Sequence, residues 1–362
     1  MNPEPQGPDQ GENQPRINAK NATRLKVLGT VLTVGGLLLF GYFVYSTGVD
    51  EIAANIANFG WLGFGVILAL YAARIMMRGL AWKLSVYDPY HLGLKDTVPA
   101  VIIGEAMSSM IPLGILISGT AKAVAVRKRV SLVVGLSSVA TENLFYSFTT
   151  SIFLILGALM FVRWFSLDET TTISIDVLIG LIVAIIVFLL LLVIRQWHFA
   201  SEACESLYRR GWFTGILESG RMQVRLFENL IYGFYRRHPK RFLPICLAES
   251  AFHVLGVLEV WFILTRIVEP SISQFLNAFL LESVSRLITI VFKLIPFVIG
   301  VDEAGAQFVG ETVGLVAGIG VTLAIIRKGR ILFWTAIGLI LIVKRGLSIR
   351  EIQSADVAGR PI

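Results

Sequence analysis

Apolar runs long enough to cross a bilayer recur along this chain, with short polar connections between them. Crossing the hydrocarbon core takes about 20 residues as a helix, and clear candidates lie at 25–45, 61–82, 131–162, 173–194 and 243–264. Less regular apolar segments follow at 98–119, 274–300 and 304–326, and a short one at 331–343 closes the series. Continuous runs predict helices, because a membrane β-barrel reads instead as alternating segments of about ten residues. The pattern predicts an all-α, polytopic membrane protein.

Composition supports that class. Hydrophobic residues make up 55% of the chain and charged residues 16%, with a mean hydropathy of +0.72, well away from soluble domains. Residues 1–23, rich in Pro, Gln, Asn and Gly, offer almost nothing to bury and read as a disordered tail. The run 25–45 is followed by polar residues and no small-residue cleavage site, so it reads as a retained first span and not as a secretory signal. Cys204 and Cys246 have neither metal nor redox spacing.

Lys and Arg collect in cytoplasmic loops. Arg16, Lys20, Arg24 and Lys26 precede the first run, while Asp50 and Glu51 follow it with no basic residue nearby. The stretch 195–241 carries nine Lys/Arg against four acids. This places the N-terminus and 195–241 inside, at the inner membrane, with 46–58 and 163–176 outside. The net charge of +7 arises largely from these loops; it matches anionic lipid headgroups and implies no nucleic acid. The expected organisation is a cytoplasmic tail at 1–23, a membrane domain at 24–345 and a short tail at 346–362. The membrane domain divides into halves at about 24–200 and 240–345, joined by an amphipathic cytoplasmic segment at 201–239.

Orientation singles out 98–119. Lys83 before it and Lys122, Arg127, Lys128 and Arg129 after it belong on the same side, so the segment must enter and leave on one face. Pro99, Gly104, Pro112, Gly114 and Gly119 suit a broken, re-entrant hairpin, which is tolerated only where protein or a water-filled cavity satisfies its backbone. The alternative is a Pro-kinked full span. A second Pro/Gly break occurs at Pro296 to Gly300, and the hexamer Thr141 to Tyr146 (TENLFY) resembles Ala248 to His253 (AESAFH). Paired interruptions in corresponding halves point to a binding site at the interface of inverted pseudo-repeats.

Charges are stranded inside these apolar segments: Glu105, Glu142, Glu249, Glu282, Arg286, Lys293, Asp302 and Glu303. Each costs roughly 2.5–3.5 kcal/mol at the bilayer centre, so such groups are buried in protein and tied to function. Glu282 and Arg286 are four apart and Lys293 is seven further on, which puts the three on one helix face. They read either as a polar interior surface or as a buried pair holding helix register. Arg74 and Arg78, also four apart, read either as snorkelling cations or as phosphate ligands. Residues 211–236 set Phe213, Ile216, Leu217, Val224, Phe227, Ile231 and Phe234 against Arg221, Arg225 and Glu228, the pattern of an interfacial helix or of a plain linker.

These residues resemble a known family. The run Ser118 to Val124 (SGTAKAV), after Pro112 and before Arg127 to Arg129, is similar to the first-half motif of the lysylphosphatidylglycerol synthase transmembrane (flippase-like) family, and Glu142 matches the acid of its next helix. Leu294 to Ala304 (LIPFVIGVDEA) resembles its second-half motif, and Arg74 with Arg78 to Trp82 (RGLAW) resembles the end of its second helix. Thr120, Asn143 and Ile299 depart from the pattern, and Asp302 is added; such changes fit a different headgroup or a divergent, hopanoid-associated subfamily. The resemblance covers about 60–345 and implies the lipid-translocating half with an inverted-repeat helical fold. The family's soluble aminoacyl-transferase domain has no counterpart in 344–362, so lysyl transfer is not expected.

No Walker loop, nucleophile elbow or zinc-protease motif occurs, and His91, His198, His238 and His253 are scattered. The reading is therefore a transporter, not an enzyme, with no cofactor and no metal. Its expected ligand is a polar or anionic lipid headgroup. Lys122, Arg286 and Lys293 would contact it, Glu142, Glu282 and Glu303 would balance them, and Arg74, Arg78, Glu105, Gly119, Glu249, Pro296, Gly300 and Asp302 form a second tier. The alternatives are an accessory or scaffold subunit for a lipid-biosynthetic enzyme and, less favoured, a membrane-embedded lipid-modifying enzyme.

Overall fold

The computed structural model describes residues 38, 41, 42, 45, 48–110, 114–210, 214–291 and 298–345. The expected tails at 1–23 and 346–362, and nearly all of the first run at 25–45, lie outside them. The described residues form eleven α-helices and no strand. Helix α1 (Val49–Leu84) leads, followed by α2 (Leu94–Met110), α3 (Gly114–Ala125), α4 (Leu132–Trp164) and α5 (Glu169–Arg195). The connection after α5 supplies α6 (Phe199–Arg209) and α7 (Thr214–Arg237), and a 3-10 turn at Pro239–Arg241 leads into α8 (Phe242–Ile267). Helices α9 (Gln274–Val291), α10 (Val301–Thr312) and α11 (Ile319–Lys344) complete the order.

Four segments have the length and composition to cross a membrane: Ile52–Leu84, Leu132–Trp164, Glu169–Leu192 and Pro239–Ile267. This is a multi-pass membrane protein. Helix α5 is the most apolar and leaves Val177, Leu181, Val187 and Leu191 exposed, as a helix facing lipid should. Helix α1 packs mainly along α8. Within it Gly60 takes φ +67°, ψ 170° and kinks the helix just before the run 61–82, while the apolar span itself starts earlier, at Ile52.

The two broken segments are helical hairpins. Helices α2 and α3 pack side by side, separated by 111–113; Pro99 and Gly104 fall within α2 and interrupt nothing. A Cβ on Gly104 would lie 2.7 Å from Lys122 Cγ and 3.1 Å from the Ser118 carbonyl oxygen, so the bare glycine sets how closely the arms approach. Helices α9 and α10 pack in the same way, with Gly305 against Ile288 and with Thr289 donating to Asp302 at 3.2 Å. The first hairpin rests on α1 and α11, and the second on α4, α8 and α11. Two apolar clusters brace them: Ile67, Phe161, Val260, Ile263, Leu280 and Leu281 in one, and Ile75, Trp82, Ile102, Val126 and Val139 in the other. The buried Trp82 indole N–H donates to Ser138 Oγ at 2.9 Å.

The end of the chain is partitioned differently from the expectation. The segment 304–326 is no single span: α10 stops at Thr312, and Gly314 and Gly318, at φ +84° and +91°, turn the chain. Residues 331–343 are no short separate run but the second half of the 26-residue α11. The basic cluster Arg327, Lys328 and Arg330 is therefore helical and inward-facing, not a loop. Its charges meet buried acids, which is why loop counting fails there.

In the connection 201–239, Phe234 is fully buried against Phe145, while the side chains of Phe213, Ile216 and Leu217 lie outside the described residues. Its polar face is not what the spacing implies, because Glu228 is buried. It accepts from the Ser201 amide at 3.2 Å and from the Ser201 hydroxyl, at the positive N-terminal end of α6.

A Cβ on Gly320 would fall 2.3 Å from the Ala306 carbonyl oxygen and 2.6 Å from Gln307 Cα, backbone that cannot yield without parting α10 from α11. Gly320→Ala is expected to cost at least ~1–3 kcal/mol. At Gly180 nothing lies within 4 Å of the same position, and Gly180→Ala should gain up to ~1 kcal/mol of helix propensity. Thermal unfolding in one detergent checks both; equal melting temperatures would contradict the packing described.

Candidate functional site

Between the two hairpins, closed by α1, α4, α8 and α11, lies a cavity of about 530 Å³. Its charge comes from helix periodicity. Tyr71, Arg74 and Arg78 share one face of α1 at spacings of three and four, and all three line the cavity. Helix α2 contributes Glu105 and Ser109, α3 contributes Ser118, Gly119 and Lys122, and α4 contributes Asn143 and Tyr146. From the other side come Phe252 of α8, Arg286 and Thr289 of α9, Asp302 of α10, and Arg327, Arg330 and Trp334 of α11.

Two ionic clusters stand behind this lining. In the first, Glu142 is fully buried and accepts at one oxygen, Oε1, from Arg78 Nε at 2.9 Å and Nη2 at 2.6 Å. Lys122 Nζ stands 3.7 Å from its other oxygen. In the second, the fully buried Glu282 meets three arginines: Arg74 at 3.3 Å, Arg327 at 2.7 Å, and Arg286 one helical turn on. Arg74 also reaches the fully buried Glu259 at 3.2 Å, which Arg330 pairs from the far side. Four guanidiniums thus share two carboxylates.

Aromatic faces complete the packing of the cations. Arg78 lies 4.0 Å from the Tyr146 ring centroid, Arg330 4.1 Å from that of Tyr71, and Arg74 4.4 Å from that of Phe252. Such contacts strengthen as water is excluded. Glycine makes the second cluster possible. A Cβ at Gly256 would stand 2.5 Å from Glu282 Oε1 and 3.1 Å from the Arg74 guanidinium.

At the second hairpin, Glu303 is fully buried and joins two structures. Its Oε2 accepts from the Gly300 amide at 2.8 Å, where Gly300 takes φ +83° to open α10. Its Oε1 lies 2.7 Å from Lys328 Nζ, which is also 3.6 Å from Asp302. Across the cavity, Tyr71 donates to Glu105 at 2.7 Å.

With this geometry in view, the family comparison is decisive. The family model for the lysylphosphatidylglycerol synthase TM region matches residues 26–338. The chain belongs to that family. Comparison with curated proteins and with solved structures gives no match. Membership in the lysylphosphatidylglycerol synthase TM-region family is consistent with a lipid-related role for this membrane domain.

The expected residues divide by position. Arg74, Arg78, Glu105, Gly119, Lys122, Arg286 and Asp302 line the cavity, while Glu142 and Glu282 stand behind the lining and hold its cations, and Glu303 pairs with Lys328, which is not part of the lining. Gly300 caps α10. Glu249 is fully buried beside Glu142 and does not line the cavity. Lys293 and Pro296, with Pro112, lie outside the described residues. The snorkelling alternative for Arg74 and Arg78 is overturned, because both guanidiniums turn inward onto buried acids. Glu282 and Arg286 do pair, within α9, and Arg286 also lines the cavity.

The sequence reading missed Tyr71, Glu259, Arg327, Lys328 and Arg330. Glu259 was detectable by the rule that found Glu249, as an acid within the apolar run 243–264. The basic trio falls between the apolar segments 304–326 and 331–343 and so does not stand out as charge stranded inside one. The repeated hexamers also meet in space: Tyr146 packs parallel to His253, with ring centroids 5.9 Å apart. A larger cleft of about 740 Å³, lined by α6 and α7 with His198, Glu202, Arg209 and Arg225, contains none of the expected residues. Its open charged rim is that of a solvated surface.

Removing the shared acid should be costly. Glu282→Ala would leave three guanidiniums around a void, and breaking a buried pair in this way costs ~3–5 kcal/mol. Thermal unfolding in nanodiscs should show a large drop in the midpoint; an unchanged midpoint would mean that Glu282 does not neutralise the cluster.

Proposed function

We propose that this protein moves a polar or anionic lipid between leaflets of the cytoplasmic membrane as a flippase-like transporter. The headgroup enters the cavity while the acyl chains stay in the bilayer. The observation that carries this reading is the composition of the cavity wall. Arg74, Arg78, Lys122, Arg286, Arg327 and Arg330 line it against two acids, Glu105 and Asp302. The acids that neutralise most of those cations are withdrawn into the protein behind them. A wall of this kind can exchange part of its internal pairing for a ligand phosphate, which guanidinium forks bind well.

In this reading the halves at about 24–200 and 240–345 are inverted pseudo-repeats, the N-terminus is cytoplasmic, and the hairpins α2–α3 and α9–α10 are the gates. Arg286 and Lys122 contact the headgroup. Glu142, Glu282 and Glu303 position the cations, and Glu303 couples Lys328 to the cap of α10. The reaction needs no bond chemistry, only a binding surface reachable in turn from each leaflet. A polar site between hairpins of interrupted backbone supports that arrangement.

The test is transport of labelled lipid in proteoliposomes. Arg286→Ala should slow headgroup movement roughly tenfold, equivalent to ~1.4 kcal/mol of lost interaction. Glu303→Ala should slow it as well, by releasing Lys328. Wild-type rates for both variants would remove these residues from the path. Failure of the wild-type protein to move any lipid, with co-purification of a lipid-biosynthetic enzyme, would make it an accessory subunit.

A further inference from the structure

Glu249 of α8 is a buried acid that neither lines the cavity nor holds one of its cations. It is fully buried, and neither of its oxygens accepts a hydrogen bond from an N–H or O–H among the described residues. What it meets is the carboxyl of Glu142, within hydrogen-bonding reach, whose Oε2 likewise has no hydrogen-bond donor there. Two ionised carboxylates are acceptors only and repel at this range, so such a pair holds together when a proton lies between them. The nearest cations, Arg78 of α1 and Lys122 of α3, are both aimed at Glu142, at 2.6 Å and 3.7 Å. Other charges on the elements packed against α8 are engaged elsewhere. Helix α9 brings Arg286 to His253, which Thr150 also holds, and Glu282 to Gly256, while α11 brings Arg330 to Glu259. In the 3-10 turn Arg241 is held by Asp88 at 3.0 Å and Lys240 is exposed. Cys246, one turn back on α8, and the cluster of Phe145, Phe234, Tyr235, Ile245 and Ala248 close that end. An ionised Glu249 would be a buried charge with no partner of its own, which is costly.

We infer that Glu249 and Glu142 form a proton-binding site, and that its proton moves together with an anion held in the cavity. With the proton in place, the pair carries one negative charge against the two positive charges of Arg78 and Lys122. The adjoining wall then has one positive charge to offer an anion. With the proton gone, Arg78 and Lys122 are both needed to balance two carboxylates. Binding of the anion and binding of the proton therefore favour each other, and linkage makes that effect reciprocal. Only an O–H bond is made and broken. Water in the cavity gives the proton to the pair by way of Glu142, which faces the lining residues Arg78 and Lys122, and water on the opposite side receives it. For a singly charged anion the joint movement is electroneutral, and a pH gradient gives it a direction.

The coupling rests on the transport reading, and two measurements separate it from the proton site. Infrared difference spectra of the full-length protein in detergent, wild type minus Glu249→Gln at neutral pH, should show the carbonyl band of a protonated carboxylic acid, displaced in D2O. Absence of that band would overturn the proton site, whatever the protein transports. In proteoliposomes, fluorescently labelled phosphatidylglycerol serves as the anionic probe, with protein-free vesicles as the baseline. A gradient of one pH unit should drive the probe toward the alkaline leaflet until the leaflet ratio is roughly tenfold, the limit for one proton per lipid. Reversing the gradient should reverse the direction, and Glu249→Gln should bring the ratio to about one. A wild-type ratio that ignores the gradient while the probe still moves would overturn the coupling. Failure of the wild-type protein to move the probe under any gradient would count against the transport reading, and the infrared band would still decide the proton site. If Glu249→Gln does not fold, the wild-type response to gradient reversal decides, and an unchanged direction would sink the proposal.

Discussion

The interaction on which the rest depends is the convergence of Arg74, Arg286 and Arg327 on the carboxylate of Glu282. A charge in a low-dielectric interior is tolerated only with partners and hydrogen bonds. Here each partner comes from a different place in the fold: α1, the same helix α9, and α11. Glu259 extends the cluster to α8 through Arg74 and Arg330. Helices that would otherwise slide along apolar surfaces are given one register, because any shift leaves a bare charge. Gly256 is part of the same constraint, since any side chain there would occupy the space of the Arg74–Glu282 contact.

That cluster also explains why the cavity is polar yet stable. Its cations are anchored from behind by withdrawn acids and covered by the faces of Tyr71, Tyr146 and Phe252. The guanidiniums are fixed in place before any ligand arrives, so little side-chain entropy is lost on binding. The hairpins bring backbone breaks to the same region. Glu303 ties the break at Gly300 to Lys328, so the charge network and the irregular backbone are mechanically joined.

Much of this was legible along the chain. The span at 131–162 coincides with α4 from its N-cap Ser131 onward, 243–264 falls within α8, and the Pro/Gly-broken segments are the two hairpins. The charges stranded at Glu142, Glu282 and Arg286 belong to the ionic clusters. Insertion cost is a local property, so a charge in an apolar run stands out without knowledge of the fold. Position in a helix is not local in that sense. Arg327, Lys328 and Arg330 break the apolar pattern between 304–326 and 331–343, because three cations in four residues are expensive in a membrane unless acids meet them. Those acids lie far away in sequence, at Glu259, Glu282, Asp302 and Glu303.

By itself, the sequence determined the all-helical membrane class, the locations of the interruptions and the list of residues too polar for their surroundings, because each follows from composition and period within a window of about 20 residues. It also carried the family motifs. Only the tertiary structure decided the pairing. Arg74 and Arg78 could snorkel or turn inward, Glu228 could face water or the start of α6, and Glu105 could find a cation or a tyrosine. Those choices depend on which helix stands opposite, and Coulomb energy and desolvation act across space without regard to separation along the chain.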